Sequence, residues 1–114
     1  MARHKDLIVF KKSDELAYRI YKVTEAFPKT EIFGITSQIR RAALSIPTNI
    51  VEGYARKSRK ELSHFLNIAL GSLAETEYLL NFSKRLGYYR EDISEIDSLL
   101  EEVGKLRWSF YRSL

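Results

Sequence analysis

The chain has 114 residues with 45% hydrophobic and 30% charged side chains, no Cys, two Pro, five Gly and a formal net charge of +4. That length allows one domain, spanning 1–114, with a single core, and the aromatic content excludes general disorder. The missing Cys excludes disulfides, thiolate zinc sites and cysteine nucleophiles, and the scarcity of Gly and Pro excludes a many-stranded β fold.

Leu7-Ile8-Val9-Phe10 is the longest early apolar run, and Lys11-Lys12 closes it. It is far too short to span a bilayer or to serve as a secretory core, so the expected compartment is the cytoplasm. Charge is uneven along the chain. Residues 1–60 hold 13 Lys and Arg against 6 Asp and Glu, whereas residues 61–114 hold 6 against 9. A basic front half points to an anionic partner or to contact between copies.

Four amphipathic helices are expected in chain order. In the first, Leu16, Ile20, Val23 and Phe27 recur at helical spacing. Ser13 can cap it, or Asp6 can cap an earlier turn, and Pro28 stops it. Lys29 to Gly34 reads as a loop. The second helix opens near Thr36 or Ser37 and buries Ile39, Ala42, Ala43, Ile46, Ile50 and Gly53. Pro47 lies inside it, and a kink there is favoured over a break because the stripe stays in register.

Ser58-Arg59-Lys60-Glu61 fits a capping box for the third and longest helix, ending near Leu86 before Gly87. Leu62, Leu66, Ala69, Leu73, Thr76 and Leu80 form one seam. Phe65, Ile68, Ser72, Leu79, Phe82 and Leu86 form a second, so two packing partners are expected. The fourth helix runs from about Glu91 to Arg112, with Ile93, Ile96, Leu100, Val103 and Phe110 inward. The fold class is all-α, an antiparallel up-down four-helix bundle with its second helix kinked at Pro47.

Enzyme chemistry finds little support. Glu61 and His64 have the Glu-x-x-His spacing of di-iron bundles, but no second copy exists and the other histidine is His4. No Gly-x-Ser-x-Gly motif and no phosphate-cradling glycine loop is present. No catalytic residue, metal or cofactor is expected. Two features stand out instead. Arg56, Lys57, Arg59 and Lys60, with Arg40 and Arg41 upstream, can neutralise several phosphates at once, and Tyr54 beside them can stack on an unpaired base. Asn49, Glu52 and Glu75 lie beside apolar stripes, where polar groups fix register or mark a subunit interface.

The stretch from Thr36 to Arg56, TSQIRRAALSIPTNIVEGYAR, resembles the signature of the four-helix bundle proteins encoded within 23S ribosomal RNA intervening sequences. Ala69 to Glu75 and Leu86-Gly87-Tyr88 extend the resemblance, which covers nearly the whole chain from about Leu7. The accessory variability determinant proteins of diversity-generating retroelements look like relatives. The resemblance implies a left-handed bundle assembled as a ring-shaped homopentamer, and its genomic context implies RNA or DNA binding through basic surfaces. A scaffold ring that binds a protein partner such as a polymerase is the alternative. Carried over to this chain, Ser45, Pro47, Asn49, Glu52, Gly53, Gly71, Ser72 and Glu75 become packing, kink and interface positions, with Gly71 and Ser72 allowing close helix approach. One departure is Arg107, on the inward line from Val103 to Phe110 where the family has aliphatic residues. It either snorkels past the core edge or marks a rotation of the helix end.

Overall fold

The computed structural model describes residues 7–107 and holds four α-helices, with no strand among those residues. They are α1 (Ile8–Val23), α2 (Ile35–Ala55), α3 (Arg59–Arg85) and α4 (Ser94–Gly104). Single 3-10 turns at Thr24–Ala26 and Lys29–Glu31 carry the chain from α1 to α2. No helix among the described residues is long and apolar enough to cross a membrane.

Helix ends follow local chemistry, in places through other residues than expected. Ser13 caps nothing: it is buried within α1 and donates its hydroxyl to the Phe10 carbonyl at 2.9 Å. The alternative cap, Asp6, lies outside the described residues. Helix α2 starts one residue before Thr36. Its Ile35 N–H donates to the Glu31 carboxylate at 3.2 Å, so a side chain from the preceding turn supplies the cap. The Thr36 hydroxyl is buried without a hydrogen-bond partner. Ser58 does cap α3, accepting from the Glu61 N–H at 3.1 Å.

Gly87 ends α3 in the left-handed conformation, with φ +76°. The Gly87 N–H donates to the Lys84 carbonyl and the Tyr88 N–H to the Ser83 carbonyl, the two bonds of a Schellman motif. At α4 the Asp92 carboxylate accepts from the Ser94 N–H at 2.9 Å, so the helix begins three residues later than Glu91.

Helix α2 passes through Pro47 as one continuous helix. Proline removes a donor from the turn before it, and neighbouring side chains add donors there. Thr48 Oγ1 donates to the Leu44 carbonyl at 2.6 Å, and Asn49 Nδ2 to the Ser45 carbonyl at 2.7 Å.

The core is one cluster built around Leu16, Ile20, Ile39, Ile46, Ile50, Leu66, Leu80 and Val103. Helix α2 packs most extensively on α3 and also on α1, and α1 carries α4, while α3 and α4 meet along a thin seam. The first seam of α3 is the one that enters the core. The second is only partly covered, because Ile68 and Leu86 remain exposed. The expected inward line of α4 holds for Ile93, Ile96, Leu100 and Val103. Helix α4 ends at Gly104, and Leu106, three residues after Val103, is buried while Arg107 is exposed. Leu106 takes the inward position, which removes the conflict Arg107 posed. Phe110 lies outside the described residues.

Two glycines of the motif behave differently. A Cβ on Gly53 would stand 3.1 Å from Leu62 Cδ1 and 3.1 Å from Phe65 Cβ, so Gly53 lets α2 approach α3 closely. A Cβ on Gly71 would meet nothing within 4 Å. Gly71 therefore permits no helix approach inside the chain, contrary to the expectation for it, and lies on the exposed face of α3.

Candidate nucleic-acid interface

The start of α1, the end of α2 and the end of α4 border one cleft, lined by Leu7, Ile8, Val9, Lys12, Tyr54, Glu102, Lys105 and Leu106. The α2–α3 corner continues from Tyr54. Lys12 and Lys105 thus share one cleft with Tyr54 and Glu102, and Arg56, Lys57, Arg59 and Lys60 follow Tyr54 at the α2–α3 corner, where Glu52 and Glu61 pair with Arg56. Sequence separation hides this grouping, since Lys12 and Lys105 stand near opposite ends of the chain.

Within this basic pole the cations differ in freedom. Lys57, Arg59 and Lys60 are exposed and make no ion pair among the described residues. Arg56 is partly committed, because Nη2 lies 3.0 Å from Glu52 and Nε 3.9 Å from Glu61, with the guanidinium 5.0 Å from the Phe65 ring centre. These are half-exposed pairs that contribute little to stability, and a phosphate can compete for the same guanidinium. Tyr54 is half-buried against the core, so only part of its ring is available for stacking.

The two upstream arginines separate sharply. A helix turns about 100° per residue, so Arg40 and Arg41 face different surroundings. Arg40 reaches the C-terminal end of α1: Nε donates to Thr24 Oγ1 at 2.7 Å and Nη2 to the Tyr21 carbonyl at 3.2 Å, with the guanidinium 4.7 Å from the Tyr21 ring centre. It is a clamp between α1 and α2. Arg41 is exposed and stands over an open polar cleft of about 490 Å³ between α2 and α3, with Ser37, Gln38, Ser45, Ser72 and Glu75.

The polar motif residues form that cleft's floor. Ser72 Oγ donates to Ser45 Oγ at 2.8 Å, and Asn49 Nδ2 donates to the same Ser45 hydroxyl oxygen at 2.9 Å. This side-chain network ties α2 to α3. Gln38 Nε2 donates to the exposed Glu75 carboxylate at 3.4 Å. Glu52 is exposed and holds Arg56 as above. His64 is exposed and stands edge-on to Phe65, ring centres 5.2 Å apart. No cluster of three His, Cys, Asp or Glu side chains suited to a metal occurs among the described residues.

At the opposite pole the aromatics knit the connections. Phe27 stacks on Tyr89 with ring centres 6.2 Å apart, and Tyr88 donates its hydroxyl to Glu31 at 2.6 Å. That bond and the Ile35 N–H hold the Glu31 carboxyl below the ordinary carboxylate range. Burial, with the Asp97 charge, pushes the Tyr89 hydroxyl up to about 12.

Sequence reasoning passed over Phe33. It is 95% exposed, beside Ile32 at 49%, in the loop entering α2. The signal was present as an apolar pair in a segment with no helical period.

Comparison with known proteins agrees with this architecture. No curated protein matches the chain. Among solved structures, a protein of unknown function from the S23 ribosomal protein family of Bacteroides thetaiotaomicron is 34% identical, covering 90% of this chain and 96% of its own, with a TM-score of 0.79. The family model described as 23S rRNA-intervening sequence protein matches residues 5–109. With that match running over nearly its whole length, the chain belongs to the 23S rRNA-intervening sequence protein family.

Proposed function

We propose that this protein is a non-enzymatic, self-associating nucleic-acid-binding protein, located in the cytoplasm, that contacts the phosphates of RNA or DNA through its basic pole. The observation that carries the reading is the cleft that brings Lys12 and Lys105 beside Tyr54, directly before the exposed run Arg56, Lys57, Arg59 and Lys60 at the α2–α3 corner. Clustered cations release condensed counterions on binding, which gives affinity without sequence preference. Assembly into a homopentamer, as the family resemblance implies, would repeat the pole around a ring and multiply a modest charge into a steering field. No metal or cofactor enters this reading.

Mobility shift with a single-stranded RNA and a duplex DNA at low salt tests it. Binding by the wild type, abolished when Lys57, Arg59 and Lys60 are changed to Glu, is the expected result. No binding at low salt, or binding insensitive to those changes, contradicts it.

A second reading, an adaptor ring that presents a surface to a protein partner such as a polymerase, draws on the outer face of α3. There Tyr78 is 64% exposed and Ile68 39%. Loss of partner binding on Tyr78→Ala, with the charge reversals silent, would favour that reading.

A further inference from the structure

Arg41 is exposed, and no ion pair, hydrogen bond or ring contact holds its side chain among the described residues. It stands over the open cleft of about 490 Å³ between α2 and α3, a volume within the range of about 300–1,000 Å³ that small ligands occupy. Two polar pairs join the helices there. Gln38 meets Glu75 at 3.4 Å, and Ser45 meets Ser72 at 2.8 Å. Gln38 and Ser45 stand about 10 Å apart along α2, with Arg41 between them.

The two pairs offer different chemistry. Ser45 Oγ accepts from Ser72 Oγ and from Asn49 Nδ2, so both of its lone pairs are used. Its own O–H has no acceptor among the described residues. That hydroxyl and the Arg41 guanidinium are donors suited to an oxyanion, and a guanidinium matches phosphate through two parallel bonds. At the other pair, the Gln38 amide and the two Glu75 carboxylate oxygens set one donor beside two acceptors. That pattern complements the Watson–Crick edge of guanine, which sets the O6 acceptor beside the N1 and N2 donors. Adenine, cytosine and uracil each turn a lone pair toward one of the carboxylate oxygens instead. The bond between Gln38 and Glu75 is long and joins exposed groups, so a base can displace it at little cost. Phe33, just before α2 on the Gln38 side, also lines the cleft and is 95% exposed, which leaves its ring face open for stacking on a base.

We propose that the α2–α3 cleft binds a guanosine 5′-phosphate unit, with Glu75 and Gln38 on the guanine edge, Phe33 stacked on the base, and Arg41 with Ser45 on the phosphate. The separation of the two polar pairs suits the reach of one nucleotide, and it keeps the phosphate away from the Glu75 charge. The unit comes either as a free nucleotide or as an unpaired guanosine in a single strand. Arg56 stands about 22 Å farther along the line of α2 than Arg41, so the cleft is separate from the basic corner and either can fail alone.

Calorimetric titration of the full-length protein with the 5′-monophosphates of guanosine, inosine and adenosine, and with guanosine itself, tests it. Circular dichroism checks the helical fold of each variant. The inosine and adenosine nucleotides are expected to bind at least about tenfold more weakly than the guanosine nucleotide, since each lacks a donor to the Glu75 carboxylate. Glu75→Gln is expected to erase that preference. Arg41→Ala should lower the affinity for guanosine 5′-monophosphate to that for guanosine, and Phe33→Ala should weaken all three nucleotides by a similar factor. Fluorescence anisotropy with a uridine oligomer, with and without one central guanosine, reads the strand source in the wild type and in Glu75→Gln. A preference for the free guanosine nucleotide assigns the site to it, and a Glu75-dependent preference seen only in the oligomer assigns the site to a strand. No guanine preference in either assay, or one that survives Glu75→Gln, would overturn the site. Undiminished nucleotide affinity in Arg41→Ala would overturn the placement of the phosphate.

Discussion

Arg40 provides a sharp test of how this chain divides its cations between structure and binding. Its guanidinium donates to Thr24 Oγ1 and to the Tyr21 carbonyl at the C-terminal end of α1, where the helix dipole favours a cation. Replacing it with Met keeps the apolar stem and removes both bonds. Hydrogen bonds from a charged donor contribute roughly 1.5–3 kcal/mol each when well shielded. Arg40 is only half-buried, and the Thr24 hydroxyl keeps the bond it donates to the Ile20 carbonyl at 2.8 Å, so only the acceptor side of that hydroxyl loses its partner. Discounting for that solvent access gives a loss of about 2 kcal/mol for the pair. For a domain near this size that corresponds to a fall in Tm of about 8 °C. Lys at this position is expected to rescue little, since it cannot reproduce the planar fork that spans both acceptors. Thermal unfolding followed by circular dichroism measures the loss, and anisotropy titration well below Tm measures nucleic-acid affinity, expected to stay within a factor of about 2. A Tm unchanged within about 1 °C, or an affinity loss as large as that of Lys60→Ala, would refute the assignment.

Other consequences are as direct. Tyr89, whose hydroxyl donates to the Leu80 carbonyl at 3.0 Å, has its pKa raised by burial to about 12. Its contribution is therefore fully present below pH 10 and lost as pH rises from 10 to about 12; spectrophotometric titration should show one late-ionising tyrosine, absent in Tyr89→Phe. Glu31 has its carboxyl pKa lowered by the Tyr88 hydroxyl first and the Ile35 N–H second, so its contribution is present above its ordinary value of 4.5 and is lost as pH falls through the lowered native value. Tyr88→Phe should flatten that acid-side loss, read by urea unfolding at neutral and acidic pH. Gly87→Ala faces no steric neighbour within 4 Å but must hold φ +76°, and should cost about 1–2 kcal/mol in a shifted urea midpoint with unchanged m.

What the chain reveals in advance depends on how local the physics is. The cap at Ser58 and the stop at Gly87 are decided within four residues, and both are legible. Ser13 misleads because the same hydroxyl that caps a helix can bond back to the Phe10 carbonyl inside one, and a start at Ile8 leaves it mid-helix. Arg40 and Arg41 read alike as a basic doublet. Only the placement of α1 assigns one to Thr24 and Tyr21 and leaves the other in the open cleft. Gly53 and Gly71 likewise read alike as small motif residues, yet only Gly53 has Leu62 and Phe65 across from it. The basic pole is a property of the fold, since one cleft brings together Lys12 and Lys105, which stand 93 positions apart, beside Tyr54 at the end of α2.

The central claim is that nucleic acid is held through the phosphates by this pole. The dependence of binding on salt measures that contact directly. With a single-stranded RNA, log K plotted against log salt should fall linearly, and each phosphate-contacting cation removed among Lys57, Arg59 and Lys60 should reduce the slope by about 0.7, whereas Arg40→Met should leave the slope unchanged. A wild-type slope near zero, or a slope unaltered in the triple Ala variant, would contradict the account.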